Sequence, residues 1–414
     1  MRRIAIVGAG HAGLQLALGL RDAGYAVTLL AARTPRQVRE GRVTSTQLMF
    51  GPALEIERAA GLALWDEDAP VMPGFEMTYW DPDGQPDVPE ARFTAPFDDE
   101  VRSVDQRVKL ARWLELFEER GGRVEYGEAG PDDVGALARS HDLTLLATGH
   151  GGLSSLLGRD ARQTRFDRPQ RALACFYVHG AAHEDTDPVS EDARITGVPP
   201  VGEVVVMRAL TVSGDCDIVF LSGKWGREYD CWDDRPDVAD GWRRALGLLR
   251  RYAPWEYERF RHAEPTDAGA ALYGSVTPVV RHPVAAVGGG RHVLGIADAV
   301  AVHDPITAQG SNNAARAAAR YLEAVLERGE LPFCEEWMRE TFDAYWEGAR
   351  HTHAFTDLML TEPEPEHVSR IMAASFAHPE VARRFTNGYA DPASYRDWLI
   401  DPKGAEEYLA RFGA

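Results

Sequence analysis

Residues 3–30 hold one complete strand–turn–helix–strand unit, and no other feature of the chain constrains its fold as strongly. Arg3 to Val7 is a short apolar run, and GAGHAG follows it. LQLALGLRDAG then has helical periodicity and ends at Gly24, and Ala26 to Leu30 (AVTLL) is a second β-run. A bare GxGxxG means little, but at a strand-to-helix junction in a unit of this size it reads as a dinucleotide-binding turn. Gly8 permits the tight turn, Gly10 lets the backbone approach a pyrophosphate, and Gly13 lets helix and strand pack closely. The amides around His11 and Ala12 present the positive end of the helix to an anion. The plain alternative is a glycine-rich turn that binds nothing. The acid that usually ends the second strand and bonds a ribose is absent, because Ala31, Ala32 and Arg33 stand there. Either Arg33 faces a phosphorylated ribose, or the dinucleotide is held loosely and exchanges.

Charge narrows the partners. Lys and Arg number 45 against 64 Asp and Glu, a formal charge of −19 over 414 residues. Such a field repels nucleic acid and anionic membrane surfaces, so neither is expected as a partner. No run approaches the ~18 apolar residues of a membrane span. The N-terminal apolar run is too short for a signal peptide. Cys175, Cys216, Cys231 and Cys334 are scattered without CxxC spacing, which suits reduced thiols in a cytoplasmic protein. No metal site is expected; His351 and His353 in ARHTHAF lack the spacing of a ligand set and read as a packed or solvated helix face.

Further along, Val104 to Arg120 is amphipathic and helical, GGRVEY returns as a strand, and DLTLLATG (Asp142 to Gly149) is a buried strand closing on small residues. ALACFYVHG, EVVVMRALTV and CDIVFLSG alternate and read as an antiparallel sheet. A Trp- and Arg-rich helical stretch spans about Val238 to Phe260, with Trp225, Trp232, Trp242 and Trp255 taken as packing. RHVLGIADAV resumes the core pattern, and the chain is helical from about Pro332. The expected division is 1–160 with 282–330 as a doubly wound α/β unit, 161–281 as an inserted sheet domain, and 331–414 as a helical segment. Only one GxGxxG stands on a strand–turn–helix. The clusters at Gly149–Gly152 (GHGG) and Gly288–Gly290 open no second unit, which argues against a reductase with two dinucleotide domains.

GAGHAG, the ATG at Ala147–Gly149 and GIADAVAVHDPITAQGSNNAA (Gly295 to Ala315) together resemble an FAD-dependent aromatic monooxygenase. The resemblance implies a Rossmann-like FAD-binding domain of the aromatic hydroxylase type. It makes Asp298 the ribityl-side acid and places Asp304, Pro305, Gln309, Gly310, Ser311 and Asn312 in the cradle of the flavin ring. Helix N-terminal amides suit the negative charge of reduced flavin. Two positions depart from the family pattern: Ala297 and Ala308 stand where relatives have glycine.

The closer resemblance, over essentially the whole chain, is to the oxygenase component of styrene and indole monooxygenases. FDRPQRAL, VTPVVRHP and PEVARRFTNGYADPASYRDWL look like segments of that family. It implies a two-component system in which a partner NADH:flavin reductase supplies diffusible FADH2 and O2 is the co-substrate. The GHGGLSSLLG segment lacks the Asp-Gly pair of single-component hydroxylases, and the missing acid after the second strand suits a flavin that comes and goes. Within GRVTSTQLMF, the resemblance puts Arg42 over the flavin and Thr46 near its C4a position, where oxygen adds. The styrene branch carries Asn-x-Val-x-His there and the indole branch Ser-x-Gln-x-Met. Ser45, Gln47 and Met49 resemble the indole branch, and Met72 and Phe75 also depart from the styrene pattern. Gln106 and Arg107 match residues that hold the FAD pyrophosphate and ribityl chain.

The activity implied is epoxidation of indole or a related electron-rich aromatic or alkene through a flavin C4a-hydroperoxide, in an apolar pocket between the FAD domain and the inserted sheet. A single-component FAD hydroxylase or an N- or S-oxidising flavoenzyme stays open. So does a flavin-binding protein without turnover. A halogenase is disfavoured by the lack of a Trp-x-Trp-x-Ile-Pro stretch. Whether the chain forms a homodimer is left open.

Overall fold

The computed structural model describes residues 1–81, 89–149, 152–183 and 193–413. His150 and Gly151 of the GHGG cluster lie outside the described residues. A six-stranded sheet carries the N-terminal unit, in the spatial order Val284–Ala286, His292–Gly295, Leu143–Leu146, Arg3–Val7, Ala26–Ala31, Arg123–Tyr126. Every neighbouring pair is parallel except the first. The apolar runs IAIV and LTLL are buried throughout, as strands covered by helices on both faces must be. The covering helices include His11–Asp22, Gln106–Glu119 and Gly310–Arg328. The Gln106–Glu119 helix starts where Asp105 accepts a hydrogen bond from the Arg107 amide at 2.8 Å.

The second sheet corrects the expected domain boundary. Its path runs Glu264–Pro265, Arg171–His179, Gly214–Lys224, Gly202–Thr211, Ala193–Val198, Met72–Tyr79, Ala91–Ser103, Leu48–Met49, with Ala271–Gly274 also paired to Arg171–His179. The strands Met72–Tyr79 and Ala91–Ser103 therefore belong to it, although they lie within the first 160 residues. Met72–Tyr79 pairs in parallel with Ala193–Val198. That junction is also fixed by charge: Glu76 stands opposite Arg194 in register, and Arg194 Nη2 lies 3.0 Å from Glu76 Oε1. The sheet is an insertion only in part, because a hairpin from the N-terminal unit completes it.

The C-terminal segment is helical as expected, with helices Glu335–Met359, Glu366–Ala377, Pro379–Gly388 and Pro402–Leu409. Phe355, Phe385, Tyr395 and Trp398 are buried there and share one core with Phe75 and Phe93 of the second sheet. Full burial of each such ring contributes about 1.5–3 kcal/mol, so this segment is part of the sheet's core. Trp232 and Trp242 pack on Phe176 and Trp255 on Trp80, but Trp225 is largely exposed. Among the described residues, no helix is long and apolar enough to cross a membrane.

Candidate flavin and substrate site

The dinucleotide turn is sterically tight at its base and open at its tip. Gly8 has φ +117° and its amide donates to Leu30 O at 2.9 Å; a Cβ there would stand 2.7 Å from Ala147 O. A Cβ on Gly13 would come within 2.1 Å of Gly8 O. Gly10, by contrast, has no atom within 4 Å of a Cβ position and caps the His11–Asp22 helix with no side chain, leaving the first-turn amides of His11 and Ala12 to an outside anion. Gly310 likewise opens on free space at the head of its helix, which also lacks a side-chain cap. Asp298 closes on Gly149, where a Cβ would be 2.5 Å from the Asp298 Cβ. Thr148 Oγ1 is buried beside the turn without a partner. Two uncapped helix N-termini, an open glycine at each and an orphaned hydroxyl fit a flavin dinucleotide.

The arginines divide. Arg33 and Arg42 are exposed, and among the described residues neither has an ion-pair partner. Arg107 is buried and its guanidinium is engaged within the protein. Its Nε donates to Asp105 at 2.8 Å, Nη1 to both Asp267 oxygens at 3.0 Å and to Gly41 O at 3.3 Å, and Nη2 to Thr211 at 3.1 Å. The side chain expected to hold the cofactor here clamps the 41–50 segment to the second sheet. Burial alone would lower its pKa, but the hydrogen bonds and charges of Asp267 and Asp105 hold it above the ordinary value. Gln106 accepts a hydrogen bond from Thr44 at 2.9 Å and stays at the edge of the segment.

The 45–49 motif is split by its backbone. Gln47 has φ +38°, which turns its buried amide back to donate to Ser103 Oγ at 3.3 Å and to the Tyr177 hydroxyl. Ser45 donates to Gln47 Oε1 at 3.2 Å, and its carbonyl accepts from Tyr177 at 2.7 Å. Met49 packs with Ala53, Leu54 and Ala315, and its sulfur accepts from Lys109 Nζ at 3.1 Å. Ser45, Gln47 and Met49 therefore do not reach the cavity described next, whereas Thr46 does.

The 297–312 segment forms the opposite wall. Asp304 Oδ1 accepts from the Ile306 amide at 2.9 Å and so caps the Pro305–Thr307 turn. Ala308 has φ +53° and Ala297 φ +49°, so both alanines adopt the left-handed backbone that explains glycine in relatives. Buried Gln309 donates to Thr307 O at 3.0 Å and Tyr389 O at 2.8 Å. Asn312 accepts from the Phe50 amide at 2.9 Å and donates to Leu48 O at 2.9 Å. These two amides hold the cradle to its neighbours from behind, and Ser311 is buried next to them.

Between the Pro305–Ala308 turn and the second sheet lies a cavity partly open to solvent. Phe50, Phe75, Phe97, Met207, Phe220 and Tyr389 make its wall apolar, and Thr46, Arg194, Glu203 and Thr386 are its polar lining. It stands where an apolar substrate pocket was expected, with Pro305 and Thr46 both in its lining.

Sequence reasoning missed two buried charge clusters because their members are far apart in the chain. One is His11–Glu57–Lys109, behind the dinucleotide turn. The other is Glu203–Arg171–Asp304, between the cavity and the cradle. His353 Nε2 donates to Gln163 O at 2.7 Å inside the protein, and among the described residues no cluster could hold a metal ion.

Residues 149–259 match the family described as "Styrene monooxygenase A putative substrate binding domain". Over 425 aligned residues the chain is 27% identical to styrene monooxygenase StyA of Pseudomonas fluorescens, covering 99% of this chain and 98% of that one. A flavin-dependent brominase superposes with a TM-score of 0.69 at 15% identity, over 100% of this chain and 99% of the other. For p-nitrophenol 4-monooxygenase PnpA from Pseudomonas putida the TM-score is 0.63 at 15% identity, over 95% and 99%. The fold is that of the flavin-dependent monooxygenases and halogenases. Over essentially its full length the chain is thus similar in sequence to styrene monooxygenase and in fold to flavin-dependent enzymes.

Proposed function

We propose that the chain is the oxygenase component of a two-component flavin monooxygenase, taking FADH2 from a separate NADH:flavin reductase and acting with O2 on an electron-rich aromatic of the indole class. The observation that carries this reading is the apolar cavity with the Pro305–Ala308 turn on one side and the second sheet on the other. When bound, reduced flavin would supply the two electrons that activate O2, of which one oxygen atom goes to the substrate and the other leaves as water. Gly8, Gly10 and Gly13 with the amides of His11 and Ala12 would hold its pyrophosphate, and Asp298 its ribityl chain. Gly310, Ser311 and the Pro305 turn would seat the ring. Arg33 and Arg42, exposed and without ion-pair partners among the described residues, suit a phosphate-bearing ligand that arrives and leaves. The aromatic wall excludes water and holds a flat apolar substrate, whose C=C bond becomes an epoxide. Four free cysteines suit a reducing compartment such as the cytoplasm.

The test is reconstitution. As purified the protein should be nearly colourless, and with a flavin reductase, FAD, NADH and O2 it should turn indole blue through indigo, with styrene slower. NADH-driven turnover by this chain alone, or tightly held yellow FAD, would overturn the two-component reading. Oxidation of another compound class without any indole would overturn the substrate.

A further inference from the structure

Glu203 lies on the Gly202–Thr211 strand in the cavity wall, with 23% of its side chain exposed. The cavity's other charged lining residue, Arg194, is engaged elsewhere: its Nε donates to Glu256 at 2.7 Å, its Nη2 lies 3.0 Å from Glu76, and its side chain is 10% exposed. Glu203 is held on one side only. Arg171 Nη1 donates to its Oε1, and no described residue partners Oε2. Arg171 Nη2 in turn donates to Asp304 Oδ1 at 2.6 Å, the atom that caps the Pro305–Thr307 turn. Glu203 is thus tied through one guanidinium to the turn whose Pro305 and Ile306 line the same cavity.

We propose that Glu203 is a specificity-determining residue: its free oxygen accepts the ring N–H of an indole-class substrate. This rests on the reading of the cavity as the substrate site and adds what that site selects. A carboxylate oxygen facing an apolar cavity gains when a donor satisfies it and loses when a ligand covers it without one. Indole brings such a donor. Styrene and indene do not, so binding them leaves the oxygen desolvated and unpaired. The Arg171 bridge keeps the carboxylate from turning to bulk water and places the anchor on the cradle side of the cavity.

The experiment compares indole with indene, which has the same bicyclic shape but a CH2 in place of the N–H. Binding to flavin-free protein is measured by calorimetry, and kcat/KM in the reconstituted system. The wild-type protein should favour indole about 10- to 100-fold in both. Glu203→Gln, which keeps the volume and an acceptor oxygen, should narrow the preference. Glu203→Met should bring it near unity, through lost indole affinity and through a gain for indene, which no longer covers an unpaired carboxylate. Equal handling of the two ligands by the wild type, or an intact preference in Glu203→Met, would overturn the assignment and leave the monooxygenase reading standing. Failure of both ligands to bind and to react would overturn both. Should Glu203→Met fold poorly with Arg171 half-paired, the wild-type ratio and Glu203→Gln still decide.

Discussion

Lys109 Nζ lies 2.7 and 2.8 Å from the two carboxylate oxygens of Glu57, and His11 Nε2 approaches one of them, Oε1, at 3.0 Å. All three side chains are about 5% exposed or less, and the ring of Trp113 packs on both His11 and Lys109. Burial would raise the Glu57 pKa, but Lys109 and His11 bring it below the usual carboxylate value; burial lowers that of His11. Lys109→Met leaves Glu57 buried without its cation and should cost about 3–5 kcal/mol near pH 8. The loss should shrink near pH 5.5, where His11 can take a proton and replace the missing charge. Urea unfolding at the two pH values measures this; equal losses would show that His11 stays neutral. The double variant Lys109→Met/Glu57→Gln should recover much of the stability.

His303 adds an acid-sensitive element beside the cradle. Burial, with the His353 ring 5.8 Å away, pushes its pKa down to about 3. The unfolded chain titrates near 6.5, so below that pH it binds the proton and the folded state does not. Stability is therefore full above about pH 7 and falls as the pH drops towards 3. Between pH 7 and pH 5 this one group accounts for a loss of up to about 2 kcal/mol. His303→Phe should flatten the wild-type decline by that amount in denaturant titrations at the two pH values. An unchanged slope would show that His303 is protonated in the folded protein.

What could be read from the sequence, and what could not, follows from how local each constraint is. The turn at Gly8–Gly13 is legible because sterics within six residues and one neighbouring strand dictate glycine. The fold class follows from that unit and the buried run LTLL. The hairpin 72–103 was missed because its membership is decided by a partner strand at Ala193–Val198, over a hundred residues on. The 45–49 motif has the same difficulty. Nothing local says that Gln47 takes φ +38° and turns to Tyr177, 130 positions away, or that Met49 meets Lys109. Arg107 could be singled out through the family resemblance. Its engagement with Asp267 could not.

The two left-handed alanines give a third prediction. Ala308 at φ +53° carries a conformation that costs an L-residue about 1–2 kcal/mol, against about 0.4–1 kcal/mol of added unfolded-chain entropy for glycine. Ala308→Gly should therefore be neutral to about 1 kcal/mol stabilising. Ala317→Gly, within the Gly310–Arg328 helix, should be destabilising by about 1 kcal/mol or more. Guanidinium unfolding of the pair provides the comparison. Equal destabilisation would show that Ala308 is not held in the left-handed region in solution.

Neighbouring residues of the motif should behave oppositely, because Thr46 lines the cavity while Gln47 is turned into the protein. Thr46→Val keeps volume and branching and removes one hydroxyl from the cavity wall. It should change stability by less than about 0.5 kcal/mol. A hydroxyl bond worth about 0.5–1.5 kcal/mol in the reacting complex, once removed, should raise the H2O2 released per NADH about 2- to 13-fold. Gln47→Leu instead leaves the Tyr177 and Ser103 hydroxyls facing an apolar group and should cost about 1–3 kcal/mol. Its effect on coupling should follow from that loosening and not from a missing group in the cavity. Melting curves and an H2O2 assay on both variants make the comparison. A Thr46→Val protein as well coupled as the wild type would confine Thr46 to lining the wall. A Gln47→Leu protein of full stability would show that the Tyr177 contact does not hold the motif.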